Sequence, residues 1–442
     1  MATKSNQITI ILNGTLIDGS GEEAITNEAI VISGNRIQSV GKLPEDINLE
    51  DLKNNQVINA ADKWIMPGLI DAHTHLSYGH PKLKGEARGR GTTRPELNTL
   101  RAAWNAQKAL RAGVTSISVP GGSWFTDVAV RDAINLGLIE GPRIACASRM
   151  IATYGSIEDE DPSWVGTPDH SLGKLCHNAT EMVTEVRRQA KHGVDFIKLA
   201  DSRSGDTQCL SRNEMTAVVE EAQRRNLRVA IHSRGAGSTR DAALAGVDWI
   251  IHADLATEED LETVAKENVR IMPTATFVER LLTWGREVGQ DVVQINLSHI
   301  EERMEKMAKM LEKLRTLGIT VLCGTDSGNY EWMPYGELHA NEPDILVRYG
   351  GYSTMEAILA TTRNNAYTLG LEDQLGVIKK GMLADIIILD QDPVSDISVL
   401  KKGEHLVNVI KDGRIISWDG KTIGRDLLLP LNPNLLSERS AA

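Results

Sequence analysis

The stretch MPGLIDAHTHLSYGH, residues 66–80, carries an apolar segment past Asp71 into His73-Thr74-His75. On a β-strand, residues i and i+2 project from the same face, so His73 and His75 would leave the strand end together. Two parallel imidazoles at such a place can share a metal ion. The alternative is a pair of solvated histidines in a turn. The stretch alone does not decide between them, and the rest of the chain has to.

Outward from that stretch, residues 63–377 alternate brief apolar runs with longer helical patterns. The runs include VTSISVPG, PRIACAS, DFIKLAD, RVAIHSRG, VDWIIHADL, RIMPTATF and TVLCGTDSG; the helices include NEMTAVVEEAQRRN and HIEERMEKMAKMLEKLRTLG. Strand–helix alternation on this scale predicts an α/β fold, either a (β/α)8 barrel or an open doubly wound sheet. Residues 1–62 instead read as short strands separated by turns at Gly14, Gly19, Gly34 and Gly41. The end of the chain, residues 378–442, repeats that texture in ADIIILDQDP and LVNVIKDGRIISWDG. Met304, Met307, Met310, Leu311 and Leu314 fall at helical spacing and predict the packed face of an amphipathic helix, with a share in a substrate pocket as the lesser reading.

Composition narrows the class. The chain has 442 residues, 41% hydrophobic and 24% charged, with a formal net charge of −12. That charge argues against nucleic acid or an anionic membrane as a partner. Cys146, Cys176, Cys209 and Cys323 show no CxxC spacing and read as reduced, mostly buried thiols. The opening MATKSNQITIILNG has no A-x-A cleavage pattern, and no apolar run approaches the length of a membrane span. A cytoplasmic homo-oligomer acting on a small-molecule substrate is expected.

The decisive pattern is where the remaining metal-capable residues fall. Lys198 ends VDFIKLA, His232 ends LRVAIH, His252 ends VDWIIH, and Asp326 ends TVLCGTD. Each would sit at the C-terminal end of a successive strand, the face on which barrels build their active sites. One strand-end histidine is ordinarily a hydrogen-bonded surface or core residue. A lysine in an apolar run is stranger, because burying an unpaired ammonium is costly. Six such positions in one register predict a metal site.

The series His-x-His, Lys, His, His, Asp resembles the two-metal form of the amidohydrolase superfamily. NGTLIDGSG and MPGLIDAHTH resemble the family's opening, and ILATTRNNAYTLGLEDQLGVIKKGMLADIIILDQDP its closing segment. HGVDFIKL, AALAGVDWIIH and ELHANE are most similar to the imidazolonepropionase-like and prolidase-like branch. The resemblance implies a (β/α)8 barrel over residues 63–377, with residues 1–62 and 378–442 forming a small β-sandwich beside it. It further implies that His73, His75 and Asp326 hold a more buried divalent ion, and that His232 and His252 hold a more exposed one. Lys198, carboxylated by carbon dioxide, would bridge the two as a carbamate. Zinc suits such donors, as do cobalt and manganese. Asp326 would shuttle a proton from the attacking water to the leaving nitrogen.

Departures from the branch bear on the substrate. The Gly-Gly-His run of prolidase-like relatives is replaced by SRMIATYGSIEDEDPSW, with Tyr154 near the expected histidine as a candidate donor to developing oxyanion charge. After the lysine strand, ADSRSGDTQC stands where relatives carry Ala-Thr-Gly-Gly. Trp124 and Trp164 are candidates for an aromatic pocket, Arg234 for a carboxylate contact or the partner of a nearby Asp, and His339 for substrate contact or support behind the ligands. His80, His170 and His177 read as ordinary loop residues. The expected activity is hydrolysis of an amide-like C–N bond (amide, urea, carbamate or thiocarbamate) in a mainly neutral substrate, near the phenylurea and thiocarbamate hydrolases. An Xaa-Pro-like dipeptidase is the alternative within enzymes, and a catalytically silent binding barrel the alternative outside them.

Overall fold

The computed structural model describes residues 8–51, 57–78, 93–159, 162–164, 166, 171–289, 296–328, 332–418 and 421–422. The two β-rich ends of the chain meet in one mixed nine-stranded sheet. Within it Ile8–Leu16 pairs antiparallel with Ile25–Ser33, and Trp64–Pro67 lies between Ile8–Leu16 and Ile386–Leu389. Runs of isoleucine such as Ile386-Ile387-Ile388 suit a pleated, two-sided buried strand. Asp412 and Gly413, with φ of 51° and 69°, form the tight turn joining Leu406–Lys411 to Arg414–Trp418. Positive φ at both central residues is the type I′ geometry that a right-twisted hairpin needs.

Between the ends lie two parallel sheets with helices between most successive strands. One contains Leu69–Asp71, Val114–Val119 and Arg143–Cys146; the other runs Gly173–Leu175, Met150–Ala152, Phe196–Ala200, Arg228–Ser233, Trp249–His252, Arg270–Met272. Backbone hydrogen bonds tie their edges together. Asp195 N–H donates to Cys146 O at 2.8 Å, and Ala72 N–H donates to Cys323 O at 2.9 Å. The arrangement is TIM-like.

The expected strand TVLCGTD is not a regular ladder; Val321 makes only an isolated bridge to Ile271. The reason is a side chain standing in for a neighbour. Asn365 Oδ1 accepts from Cys323 N–H at 2.9 Å, while its Nδ2 donates to Cys323 O at 2.7 Å and Ile70 O at 2.5 Å. One amide thereby satisfies three backbone groups where the first and last strand segments converge.

The helices behave as their patterns predict. Leu297–Thr316 buries Met304, Met307, Met310, Leu311 and Leu314 in the main core. Full burial of each contributes about 1.5–3 kcal/mol. Arg212–Gln223 opens with a reciprocal capping box between Ser211 and Glu214, which satisfies two otherwise orphaned N–H groups. All four cysteines are free, with Cys146, Cys176 and Cys323 buried and Cys209 partly exposed. Among the described residues, no helix is long and apolar enough to cross a membrane.

Candidate metal centre and active site

Because the strands are parallel, their C-terminal ends open onto one side, and the six sequence-predicted residues meet there. His73, His75, Lys198, His232, His252 and Asp326 all line a single cavity of about 350 Å³. His73 Nε2 lies 3.6 Å and His75 Nε2 2.9 Å from Asp326 Oδ1. Ligand atoms of these three residues lie within 4.8 Å of one another, a spacing one ion can span. The imidazole of His252 joins them to His232, with ring centroids 5.6 Å from His73 and 4.6 Å from His232.

Backbone strain is concentrated at the same residues. His252, Ala253, Thr274 and Asp326 have φ of 81°, 57°, 56° and 63°. Left-handed non-glycine residues each cost of order 1–3 kcal/mol, so the surrounding structure must hold them. Asp71 supplies much of that hold at Asp326's base. Its carboxylate accepts from His73 N–H (3.1 Å), Thr325 N–H (3.1 Å), the Thr325 hydroxyl (2.5 Å) and His339 Nδ1 (2.7 Å).

The hydrogen bonds also assign the tautomers. His75 Nδ1 donates to Gly121 O at 2.8 Å, leaving the Nε2 lone pair toward Asp326. The Thr274 hydroxyl donates to Met272 O, so it accepts from His73 Nδ1 at 3.1 Å, and His73 Nε2 is likewise the free lone pair. His232 is reversed: its Nε2 donates to Ser202 O at 3.2 Å, which leaves Nδ1 for the cavity. Holding one ring nitrogen on an oxygen acceptor is how proteins orient histidine ligands.

These residues fit a divalent cation. Asp326 Oδ1 is buried without a hydrogen-bond donor, although His75 Nε2 lies 2.9 Å away. With His75 in the tautomer that Gly121 imposes, two lone pairs face each other, which is repulsive unless a cation lies between them. Burial pushes the His73, His232 and His252 imidazoles well below their ordinary pKa, keeping them neutral and able to ligate. Burial likewise pushes Lys198 well down, against the opposing pull of Asp326, and no hydrogen bond reaches its amine among the described residues.

Around this floor, the structure redistributes the other sequence candidates. Tyr154 is 58% exposed and stacks on His177 at 4.1 Å, lining a separate small cavity. The turn that the Ser156 hydroxyl closes on Thr153 O carries Tyr154 outward and brings Ile157 and Glu158 to the metal-site cavity instead. Trp164 is 86% exposed. Trp124, with φ of 52°, turns its indole toward Arg149, Arg188 and His192, away from the cavity lining. The expected tryptophan pocket is therefore corrected: Tyr78, Pro120, Met150, Leu255 and Phe277 supply the apolar lining, with Tyr78 stacked on His75 at 4.0 Å. His339 does not face the cavity. It is buried behind the ligands, where Nε2 accepts from Gly336 N–H at 3.1 Å and Nδ1 donates to Asp71. Arg234 does line the cavity, and its guanidinium is committed to Asp254. His80 and His170 lie outside the described residues. Sequence reading missed Arg203 and Arg303 on the cavity wall. For Arg303 a signal existed: at four and seven residues before Met307 and Met310 it shares the face of the helix that carries the methionine stripe.

Comparison with known proteins agrees with this geometry. Residues 64–416 match the model of the amidohydrolase family. Ochratoxinase of Aspergillus niger is 28% identical over 453 aligned residues, covering 95% of this chain and 88% of its own. A solved Xaa-Pro dipeptidase with methionine in its active site is 28% identical, with a TM-score of 0.80, covering 93% of this chain and all (100%) of that one. Phenylurea hydrolase B shares the fold, with a TM-score of 0.74 at 22% identity over 92% of this chain and 96% of its own. Members of this family generally use divalent metals, and the His73–His75–Asp326 cluster is suited to hold one. The chain belongs to the amidohydrolase family and is a hydrolase of carbon–nitrogen bonds.

Proposed function

We propose that the protein hydrolyses an amide-like C–N bond of a small substrate over two divalent ions, zinc first among the candidates and cobalt or manganese next. In this reading His73, His75 and Asp326 would hold one ion, His232 and His252 would hold the other, and Lys198, carboxylated by carbon dioxide, would supply an anionic ligand to both. The convergence of all six side chains on one cavity is the observation that carries it. Ions held there would polarise the scissile carbonyl and lower the pKa of water at the site.

The chain's own groups do the rest. The buried Lys198 amine favours its neutral form, the form that adds carbon dioxide. Asp326 accepts the proton of the attacking water and delivers it to the leaving nitrogen, so that the amine departs neutral. The apolar wall formed by Tyr78, Leu255 and Phe277 limits water around the reacting carbonyl. The same reading takes residues 63–377 as a (β/α)8 barrel, with 1–62 and 378–442 packing as a β-sandwich. It also places the enzyme in the cytoplasm, in keeping with its four free thiols.

The test combines metal analysis with a substrate panel of amides, ureas, carbamates and dipeptides. Wild type is expected to carry about two ions per chain and to turn over at least one class. Lys198→Ala should lose most activity and at least one ion, with partial rescue by short carboxylic acids. A fully active Lys198→Ala protein with undiminished metal would remove the carbamate from the assignment.

A further inference from the structure

The cavity wall opposite the first-strand ligands holds an uneven charge group. Asp254, whose side chain is fully buried at 0% exposure, receives two guanidinium groups. Arg234 binds it through Nε at 2.9 Å and through Nη2, and spends Nη1 on Arg203 O at 3.3 Å. Arg303, reaching in from the helix Leu297–Thr316, touches Asp254 only through Nε, at 2.7 Å. Its Nη1 and Nη2 have no partner among the described residues, although Arg303 lines the cavity. Two cations thus share one carboxylate, so this trio carries one excess positive charge, which Arg203 and Glu158, of opposite sign on the same cavity, leave unchanged in sum.

A partly buried unbalanced charge is costly unless an anion complements it. The edge of Arg303 left open carries both terminal nitrogens, the fork that matches a carboxylate bidentately. Asp254 fixes the fork's direction by holding Nε, and Asp254 is itself set by the successive left-handed residues His252 and Ala253. Arg234, the cation that the sequence suggests for this contact, already has a partner at each of its three nitrogens, Asp254 at Nε and Nη2 and Arg203 O at Nη1.

We propose that Arg303 is a specificity-determining residue that grips a carboxylate on the substrate, so that the preferred substrates are N-acyl amino acids. This rests on the hydrolytic reading above and deepens it. It also replaces the expectation of a mainly neutral substrate, whose support was a tryptophan pocket that the structure does not form. Arg303 acts on binding and orientation, not on the proton transfers at Asp326.

The experiment compares N-acetyl-phenylalanine and N-acetyl-leucine with their uncharged carboxamides, using the metal-loaded enzyme. Wild type should favour the acids by roughly 10- to 100-fold in kcat/KM, chiefly through KM, as expected for a charged bidentate contact. Arg303→Met should bring that ratio to within about threefold of unity, and Arg303→Lys, which keeps the charge and loses the fork, should retain part of it. The lysine variant also guards against poor folding of the methionine one. An acid-to-carboxamide ratio that survives in Arg303→Met, or a wild type that prefers the carboxamides, overturns the proposal and leaves the hydrolytic reading intact. Calorimetric binding of N-acetyl-phenylalanine that weakens in Arg303→Met supports Arg303 even where no amide is turned over, and that failure of turnover counts against the hydrolytic reading alone.

Discussion

The floor of the cavity and its rim are built by different rules. Floor residues sit on or just past strand ends and are buried, and three of them, His73, His75 and His232, have one ring nitrogen held on an oxygen so that the other faces the cavity. Rim residues come from loops and a helix, and several candidates there turned away: Tyr154 to His177, Trp124 to the helix Ala179–His192, Trp164 to solvent. A parallel strand fixes both where its end lies and which way alternate side chains point. A loop fixes neither. Chemistry is therefore expected to fail sharply when the floor changes, while the rim divides into a few residues that matter and many that do not.

The largest effect should come from Asp326. As the proposed proton shuttle it should contribute roughly 10²–10⁴-fold to turnover, the usual range for a positioned acid–base group. Asp326→Asn should lose that much kcat on a substrate for which chemistry limits the rate. Its thermal unfolding should stay cooperative, because Asp71 and Asn365 still hold the surrounding segment. A variant within a few-fold of wild type would move the shuttle elsewhere and weaken the claim that the floor alone carries the chemistry.

The same division marks what the sequence could disclose. His73, His75, Lys198, His232, His252 and Asp326 were legible because each ends an apolar run, and period two plus parallel order put their side chains on one face. The helix Leu297–Thr316 was legible from its methionine stripe, whose members are buried. The role of Asp71 was half visible, as an aspartate two residues before His73. That it also binds His339 and Thr325 is a contact across more than 250 residues, which no local pattern encodes. The arrangement Arg234–Asp254–Arg303 was hidden for the same reason, since three separate elements supply it. Tyr154 was misplaced because its role was inferred from where relatives carry a histidine, whereas the turn at Thr153–Ser156 decides its direction.

Support beneath the wall gives a test of intermediate size. Glu342 is buried and accepts from Ala275 N–H at 2.9 Å and from Thr276 N–H and hydroxyl at 2.7 Å each, at the start of the helix that bears Phe277. Burial pushes its carboxyl up to about 7 from an ordinary 4.5. The folded protein then keeps a proton that the unfolded chain has released between those values. Its contribution to stability is full below pH 4.5 and is lost as pH rises through 7, amounting to about 3 kcal/mol at most. Glu342→Gln cannot titrate, so denaturant unfolding at pH 5 and pH 8 should show the variant gaining on wild type by up to that amount. Parallel stability changes in the two proteins would mean that Glu342 stays ionised in the fold and that its three donors outweigh burial.

The smallest effects should lie at the rim positions facing solvent. Trp164 is 86% exposed, and Tyr154, at 58%, makes its ring contact with His177 alone. Neither lines the metal-site cavity. Substitutions at exposed positions away from caps, cavities and buried networks usually change stability by no more than about 0.5 kcal/mol. Trp164→Ala and Tyr154→Phe should accordingly stay within about twofold of wild type in kcat/KM, since neither removes a group that meets the substrate. Tyr154→Phe is the sharper of the two, because it deletes only the hydroxyl that an oxyanion donor would need. Loss of such a donor ordinarily costs about 10²–10³ in kcat, so a silent variant and a catalytic one are easily told apart. A loss of that size would show that the loop after Met150–Ala152 swings Tyr154 over the metals when substrate binds, and the line between floor and rim would then have to be redrawn through that loop.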